Sequence, residues 1–188
     1  MQGWPRRHRI SVEHFYRMAD AGLFDGDERV ELIDGEIIDM PPMGSPHAAV
    51  VQQLTRLLCA ALPMEIILRP QLPLRLGEFS EPLPDIAVVR SRSDQYGASH
   101  PTAADVLLLV EVSDSTLRYD REVKSALYAR HGVPELWIVD VQARALHSYR
   151  SPVDGAYTSE TTLPLGRMPV AATGVEIDLA MLAIAQPA

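Results

Sequence analysis

Asp105-Val106-Leu107-Leu108-Leu109-Val110-Glu111-Val112 reads as a strand without the usual alternation of polar and apolar residues. A strand apolar on both sides has to be covered on both faces, as happens in the middle of a sheet sandwiched by helices. Leu117 to His131 follows with helical spacing, and Gly132 and Pro134 supply the stop. Glu135-Leu136-Trp137-Ile138-Val139-Asp140 and Ala145 to Arg150 read as further strands. Upstream, Pro84 to Arg90 is another, and Glu65–Arg69 and Leu72–Leu76 are expected to pair around Pro70-Gln71. Ser91 to Ala104 is polar and reads as a loop.

The N-terminal part adds a helix and a hairpin. Ser11 is a plausible N-cap, and Phe15, Met18, Ala19 and Leu23 follow at helical spacing until Gly22 and Asp25-Gly26-Asp27 end the run. Arg29–Ile33 and Glu36–Met40 flank Asp34-Gly35, the strongest short-range hairpin signal because both turn residues need positive φ. After Pro41-Pro42 and Gly44-Ser45-Pro46, His47 to Leu62 carries an apolar stripe of Val50, Val51, Leu54, Leu57, Leu58, Ala61 and Leu62. Cys59 is expected to be semi-buried and inert. Beyond Arg150 the pattern is weak, apart from Leu179 to Ala185, which suits a short helix. The order of elements predicts an α/β domain with a central sheet covered by helices.

At 188 residues, with 47% apolar and 22% charged residues, one domain spanning 1–188 is expected, and a disordered chain or coiled coil is excluded. The longest apolar run, Leu179 to Ala185, falls far short of the roughly 20 residues of a membrane helix. No signal-peptide pattern opens the chain, and the single cysteine cannot form an internal disulfide, so a cytoplasmic location is expected. Seventeen basic against 25 acidic residues give a net charge of -8, poor for a protein that holds DNA by charge alone. A nuclease whose acids gather around metal ions remains compatible. The one basic run, Arg6, Arg7, His8 and Arg9, reads as a terminal tail or a phosphate-contacting arm.

Glu111 is the most informative residue. A carboxylate in a strand buried on both faces must be ion-paired, protonated or metal-bound. Asp85 opens the preceding strand, so two neighbouring strands can bring the pair together. Two adjacent carboxylates repel unless a cation sits between them, and such hard oxygens suit Mg²⁺ or Mn²⁺. Lys124, on the helix after Glu111, either pairs with Asp120 along the helix or serves the carboxylates by orienting water or holding a phosphate. Glu31 is either an exposed hairpin residue or a further acid at the cleft. His47 begins its helix near the same place and reads equally as a capping or surface histidine. Walker loops, nucleophile elbows and dinucleotide glycine motifs are absent from the sequence.

In combination, these motifs resemble a known family. Glu31-Leu32-Ile33-Asp34-Gly35-Glu36, Met40-Pro41-Pro42, Ser45-Pro46-His47, Pro84-Asp85-Ile86-Ala87-Val88-Val89, Leu109-Val110-Glu111-Val112-Ser113 and Gly132-Val133-Pro134-Glu135-Leu136-Trp137-Ile138-Val139-Asp140 occur in the order seen in the Uma2 endonuclease family. The resemblance covers about residues 11–150. It implies the restriction-endonuclease-like fold of the PD-(D/E)XK superfamily, a mixed central sheet flanked by helices with a metal-dependent phosphodiesterase site acting on DNA. Pro84-Asp85 matches the PD element and Glu111 the following acid, which makes Asp85 and Glu111 the implied Mg²⁺ or Mn²⁺ ligands. The superfamily lysine would stand at position 113, but Ser113 is there; Lys124 on the next helix matches the Uma2 variant of the pattern. Glu31 matches the acid of the family hairpin. A catalytically inactive nuclease scaffold used for binding or assembly is the alternative, favoured by the net charge and by Ser113. Exposed strands and Trp137 would permit a homodimer.

Overall fold

The computed structural model describes residues 6–24 and 29–184. Its elements in chain order are α1 (Val12–Asp20), β1 (Val30–Ile33), β2 (Glu36–Asp39), α2 (Ser45–Ala61), β3 (Ile67–Pro70), β4 (Ile86–Val89) and β5 (Val106–Ser113). Helix α3 (Leu117–Tyr119) runs through a π-helical turn, Asp120–Lys124, into α4 (Ser125–Arg130). Strands β6 (Glu135–Asp140), β7 (Ala145–Val153), β8 (Ala156–Pro164), β9 (Arg167–Pro169) and β10 (Glu176–Asp178) complete the chain. Six of the strands form one mixed sheet in the order β3-β4-β5-β6-β7-β8, with β5 and β6 parallel and the other neighbours antiparallel. The fold is the expected mixed central sheet flanked by helices.

Every residue of β5 is buried, which is why its sequence does not alternate. From Leu108 onward its side chains nevertheless divide between two cores. Leu108, Val110 and Val112 join Ile86, Trp137 and the Val50, Leu54 and Leu58 stripe of α2. Leu109 joins Ala87, Ile138, Leu127 and Tyr128 under α4. Glu111 and Ser113 follow the parity of Leu109, so the carboxylate points to the side of the sheet that α3 and α4 cover.

The hairpin β1–β2 turns at Asp34 (φ 52) and Gly35 (φ 82), with Ile33 opposite Glu36, as its Asp-Gly pair predicts. The Ser11 hydroxyl caps α1 by accepting the His14 N–H. Helix α1 ends at Asp20, and Leu23, two residues past its C-cap, is 61% exposed rather than part of a buried stripe. The stop expected at Asp25-Gly26-Asp27 lies outside the described residues.

Four expectations need correction. Leu72–Leu76 is no partner of β3. Gln71 turns the chain at φ 53, Pro73 has no N–H to donate, and Leu74 and Leu76 bond instead to Pro82 and Ser80. Strand β3 therefore pairs with β4. Cys59 is exposed, on the outer side of α2. Trp137 is fully buried with its indole N–H donated to Glu135 at 2.9 Å, so it offers no surface to a second copy. The region after Arg150 holds structure where the pattern reads as weak: β7 continues to Val153 and β8 returns beside it through Asp154 (φ 50) and Gly155 (φ 81). The C-terminal apolar run forms a single 3₁₀ turn, Leu179–Met181; Ala185 lies outside the described residues. No helix among the described residues is long and apolar enough to cross a membrane.

Candidate active site

The antiparallel register of β4 and β5 sets Ile86 opposite Val110, so the next pair toward the strand end is Asp85 and Glu111. Both residues are buried. The Val112 N–H donates to Asp85 Oδ2 at 2.8 Å, and the Asp85 N–H points to Glu111 Oε2 at 3.4 Å. Gln71, at the end of β3, reaches Asp85 Oδ1 through its amide at 3.4 Å.

Lys124 enters from the helix. The π-helical turn carries the i→i+5 bond from Ser125 N–H to the Asp120 carbonyl, and both Asp120 and Lys124 face inward and are buried. Such a turn inside an α-helix re-aims the residues it contains and is often found at functional sites. The Lys124 ammonium lies 3.1 Å from Glu31 Oε1 and 3.2 Å from Glu111 Oε1. Tyr128, four residues on, donates its hydroxyl to Glu111 Oε1 at 2.5 Å. The helix pair Asp120–Lys124 does not form. Asp120 instead accepts the hydroxyls of Ser113 at 2.6 Å and Thr116 at 2.7 Å.

Glu31 arrives on the hairpin. A bridge between Leu32 and Glu81 pins β1 to the segment before β4, and Glu31 Oε1 accepts the Leu83 N–H at 3.0 Å. Glu31 is buried, not an exposed hairpin residue, and its Oε2 has no partner among the described residues. His47, in the first turn of α2, places Nε2 at 3.0 Å from Asp85 Oδ1, close enough for an ion pair but without hydrogen-bond alignment. The structure thus brings Asp85, Glu111, Lys124 and Glu31 to one place, and adds His47, Tyr128 and Asp120.

The charges do not balance. Asp85, Glu111, Glu31 and Asp120 are four buried carboxyl groups around one buried lysine. Burial pushes Glu111 up to about 8, and the neighbouring Asp85, Asp120 and Glu31 carboxyls add to the rise while Lys124 opposes it. Burial alone would pull the Lys124 ammonium down; Glu111 and Glu31 outweigh it and hold Lys124 above its ordinary range. The two directions bear on one contact. Lys124 stays charged, and burial, reinforced by the surplus of carboxyl groups, lets Glu111 keep a proton. Asp85 is opposed by burial yet held below its usual value by His47 and the Val112 N–H.

The cleft over this cluster is small, about 50 Å³, and is lined by Arg29, His47, Asp85, Glu111, Asp120 and Lys124. It has room for water and an ion rather than a nucleoside. A larger cavity, about 580 Å³, lies between the α3–α4 helix and the β7–β8 hairpin and contains none of these residues. Among the described residues no three His, Cys, Asp or Glu side chains are arranged as a ready-made metal cage. Mg²⁺ does not need one: it keeps several waters and takes one or two carboxylates plus substrate oxygens. The hard-oxygen pair Asp85–Glu111, with Glu31 Oε2 left unsatisfied beside it, fits that demand.

A family model described as "Uma2: Putative restriction endonuclease" matches residues 12–185. The chain belongs to the Uma2 family. The Uma2 match extends past the segment that carries the sequence motifs and takes in β7 to β10. Among solved structures, "a putative nuclease belonging to DUF820 from Anabaena variabilis ATCC 29413" is similar with a TM-score of 0.70, over 92% of this chain and 97% of that one. At 17% identity the likeness shows the fold. No match was found among curated proteins.

In this Uma2 chain, Ser113 occupies the position two residues after Glu111 and spends its hydroxyl on Asp120. Lys124 is the cation that meets the acids. Asp120 and Tyr128 share the helix face of Lys124 in the sequence, at four-residue spacing, and His47 begins its helix near the cleft, but their contacts with Ser113, Glu111 and Asp85 are set by the tertiary structure. The His47–Asp85 contact carried no local signal, because Asp85 lies far downstream on another element.

Proposed function

We propose that this Uma2 protein is a divalent-metal-dependent nuclease that hydrolyses phosphodiester bonds in DNA. The observation that carries the reading is the buried Asp85–Glu111 pair at adjoining strand ends, with Lys124 donating to it from the helix. Asp85 and Glu111 would hold Mg²⁺ or Mn²⁺. When bound, the ion lowers the pKa of a coordinated water and offsets charge building on the phosphate.

The chain's own residues do the rest. Tyr128 and Lys124 fix one oxygen of Glu111, which orients the carboxylate toward Asp85. The Val112 N–H and His47 do the same for Asp85. Glu31 holds the Lys124 ammonium in place, leaving its remaining N–H capacity for a water or a phosphate oxygen. The narrow cleft keeps the nucleosides outside, so a substrate phosphate meets the site at its mouth. Plasmid nicking by purified protein tests the reading. Cleavage with Mn²⁺ or Mg²⁺, stopped by chelator and absent in Asp85→Asn, is expected; no cleavage with either ion overturns it.

A second reading has a specific observation behind it. Lys124 is already claimed by two carboxyl groups, and a hydroxyl stands at position 113. A nuclease scaffold kept for binding or assembly would retain this network for stability alone, and would show neither cleavage nor a thermal shift with Mn²⁺.

A further inference from the structure

Arg69 is the one buried arginine on β3, 8% exposed, and among the described residues no carboxylate lies within ion-pair distance of it. Lys124 and Glu135, by contrast, have opposite partners: Lys124 has Glu31 and Glu111, and Glu135 has Arg150 at 2.6 Å. Arg69 has His100, whose Nδ1 lies 3.3 Å from its Nη2, and the face of Tyr96, 5.5 Å from its guanidinium carbon. Its Nε is buried without a partner among the described residues. A guanidinium cannot shed its charge, so its burial without an anion is unfavourable. A second cation, Arg92, stacks on the same Tyr96 ring at 4.1 Å, with its charge already met by Asp94.

Two of its neighbours face a cavity. His100 and Tyr96 line a cavity of about 490 Å³, which shares Tyr16 and Glu81 with a second of about 550 Å³. The second shares Arg29 and Leu83 with the cleft over Asp85 and Glu111. The three cavities thus adjoin through shared walls, from His100 and Tyr96 to the carboxylate cluster. The middle cavity is walled by Phe15 and Phe24, with ring centroids 5.2 Å apart, next to Tyr16. Cations that track a backbone, interleaved with aromatic faces on which bases stack, are what single strands use. Arg69 also shares a sheet face with Asp85: it pairs with Ala87, two residues along β4. That register sets the Arg69 and Asp85 backbone positions about 7 Å apart along the strand direction.

We propose that Arg69 and His100 bind a phosphate of a single-stranded nucleic-acid segment that lies along these cavities and leads to the Asp85–Glu111 site. The anion site stands on the unpaired arginine alone; the identity of the strand rests on the nuclease reading. Arg69 supplies the fixed charge, His100 in the cavity wall supplies a ring N–H, and the Phe15–Phe24 wall takes the bases.

The test is binding in excess chelator, where no cleavage complicates it. A fluorescently labelled oligo-dT of about twelve nucleotides is titrated into wild type, Arg69→Gln and His100→Ala, with inorganic phosphate and a duplex of equal length as separate arms. Arg69→Gln is expected to weaken oligo-dT binding about tenfold or more, His100→Ala less, and wild type to prefer the single strand over the duplex. Without ligand, Arg69→Gln should melt at the wild-type temperature or above, since it removes an unpaired buried charge. Unchanged oligonucleotide affinity in both variants overturns the proposal. So does a lower melting temperature of Arg69→Gln with no change in affinity, which would make Arg69 a packing residue. Saturation by inorganic phosphate with no strand binding overturns the strand assignment. Single-strand binding lost in Arg69→Gln, in a protein that never cleaves with Mn²⁺, upholds this proposal and sinks the catalytic one.

Discussion

Replace Glu111 by glutamine and unfold the metal-free protein in urea at pH 6 and at pH 8. In the folded wild type the Glu111 carboxyl is pushed from 4.5 up to about 8, first by burial and then by Asp85, Asp120 and Glu31. A carboxyl whose folded pKa lies above its unfolded one binds more protons in the folded state across that window. Stability then falls as pH rises from about 4.5 to 8, with a slope approaching about 1.4 kcal/mol per pH unit inside it. Between pH 6 and pH 8 the wild type should lose about 2–3 kcal/mol through this group. Glutamine cannot ionise and loses none of that.

The substitution itself is cheap in this setting. In Glu111→Gln the new amide oxygen would keep the Tyr128 hydroxyl and Lys124, and Lys124 keeps Glu31 at 3.1 Å, so no cation is stranded. The one loss is the long 3.4 Å bond from the Asp85 N–H, which would face an amide N–H instead; that costs about 1 kcal/mol. Glu111→Gln should therefore lie within about 1 kcal/mol of wild type at pH 6 and be more stable by about 1–2 kcal/mol at pH 8. Groups common to both proteins cancel in the difference, provided the urea m-values agree. A difference that does not change with pH, or a loss of about 3–5 kcal/mol at both values, would show that Glu111 is half of an ordinary buried ion pair and that no charge surplus exists.

Three further outcomes follow from the same geometry. Mn²⁺ should raise the melting temperature of wild type by mass action and that of Asp85→Asn far less, read by differential scanning fluorimetry; equal shifts would remove Asp85 from the ligand set. Lys124→Met should cost about 3–5 kcal/mol at pH 8, because it strands the Glu31 and Glu111 carboxyls together, and visibly less at pH 5, where Glu111 holds its proton; equal losses at both pH values would contradict this. Gly35→Ala should destabilise more than Gly155→Ala in thermal melts. Both have positive φ, but a Cβ at Gly35 would sit 2.7 Å from Arg9 Cβ and 3.0 Å from the Ile10 nitrogen, whereas at Gly155 it meets the Arg130 side chain at 3.1 Å. The expected costs are about 1 kcal/mol for Gly155→Ala and at least about 2 kcal/mol for Gly35→Ala.

The Asp-Gly dipeptide acts twice among the described residues. It reads correctly at Asp34-Gly35, and the same pair at Asp154-Gly155, in the stretch whose pattern reads as weak, turns β7 into β8 with nearly the same φ angles. Leu72–Leu76 misleads for a different reason. Its apolar alternation is real, since Leu74 and Leu76 are buried, but Pro73 and the left-handed Gln71 spoil the ladder, and β4 offers β3 an uninterrupted one.

Local chemistry alone determined the double-faced burial of β5, the helix that follows it, the hairpin at Asp34-Gly35 and the exceptional position of Glu111. Those follow from side-chain period, turn dihedrals and the cost of an unpaired buried carboxylate, all of which act within a few residues. Tertiary structure alone decided who meets Glu111. The β4–β5 register sets Asp85 beside it, the hairpin carries Glu31 in from far upstream, and the π-helical turn aims Lys124 at both acids rather than along its helix at Asp120. It also left Arg69 without an acid among the described residues. Pairings of this kind are set by sheet order and strand register, which no window of sequence contains, because an ion pair depends on distance in space and not along the chain.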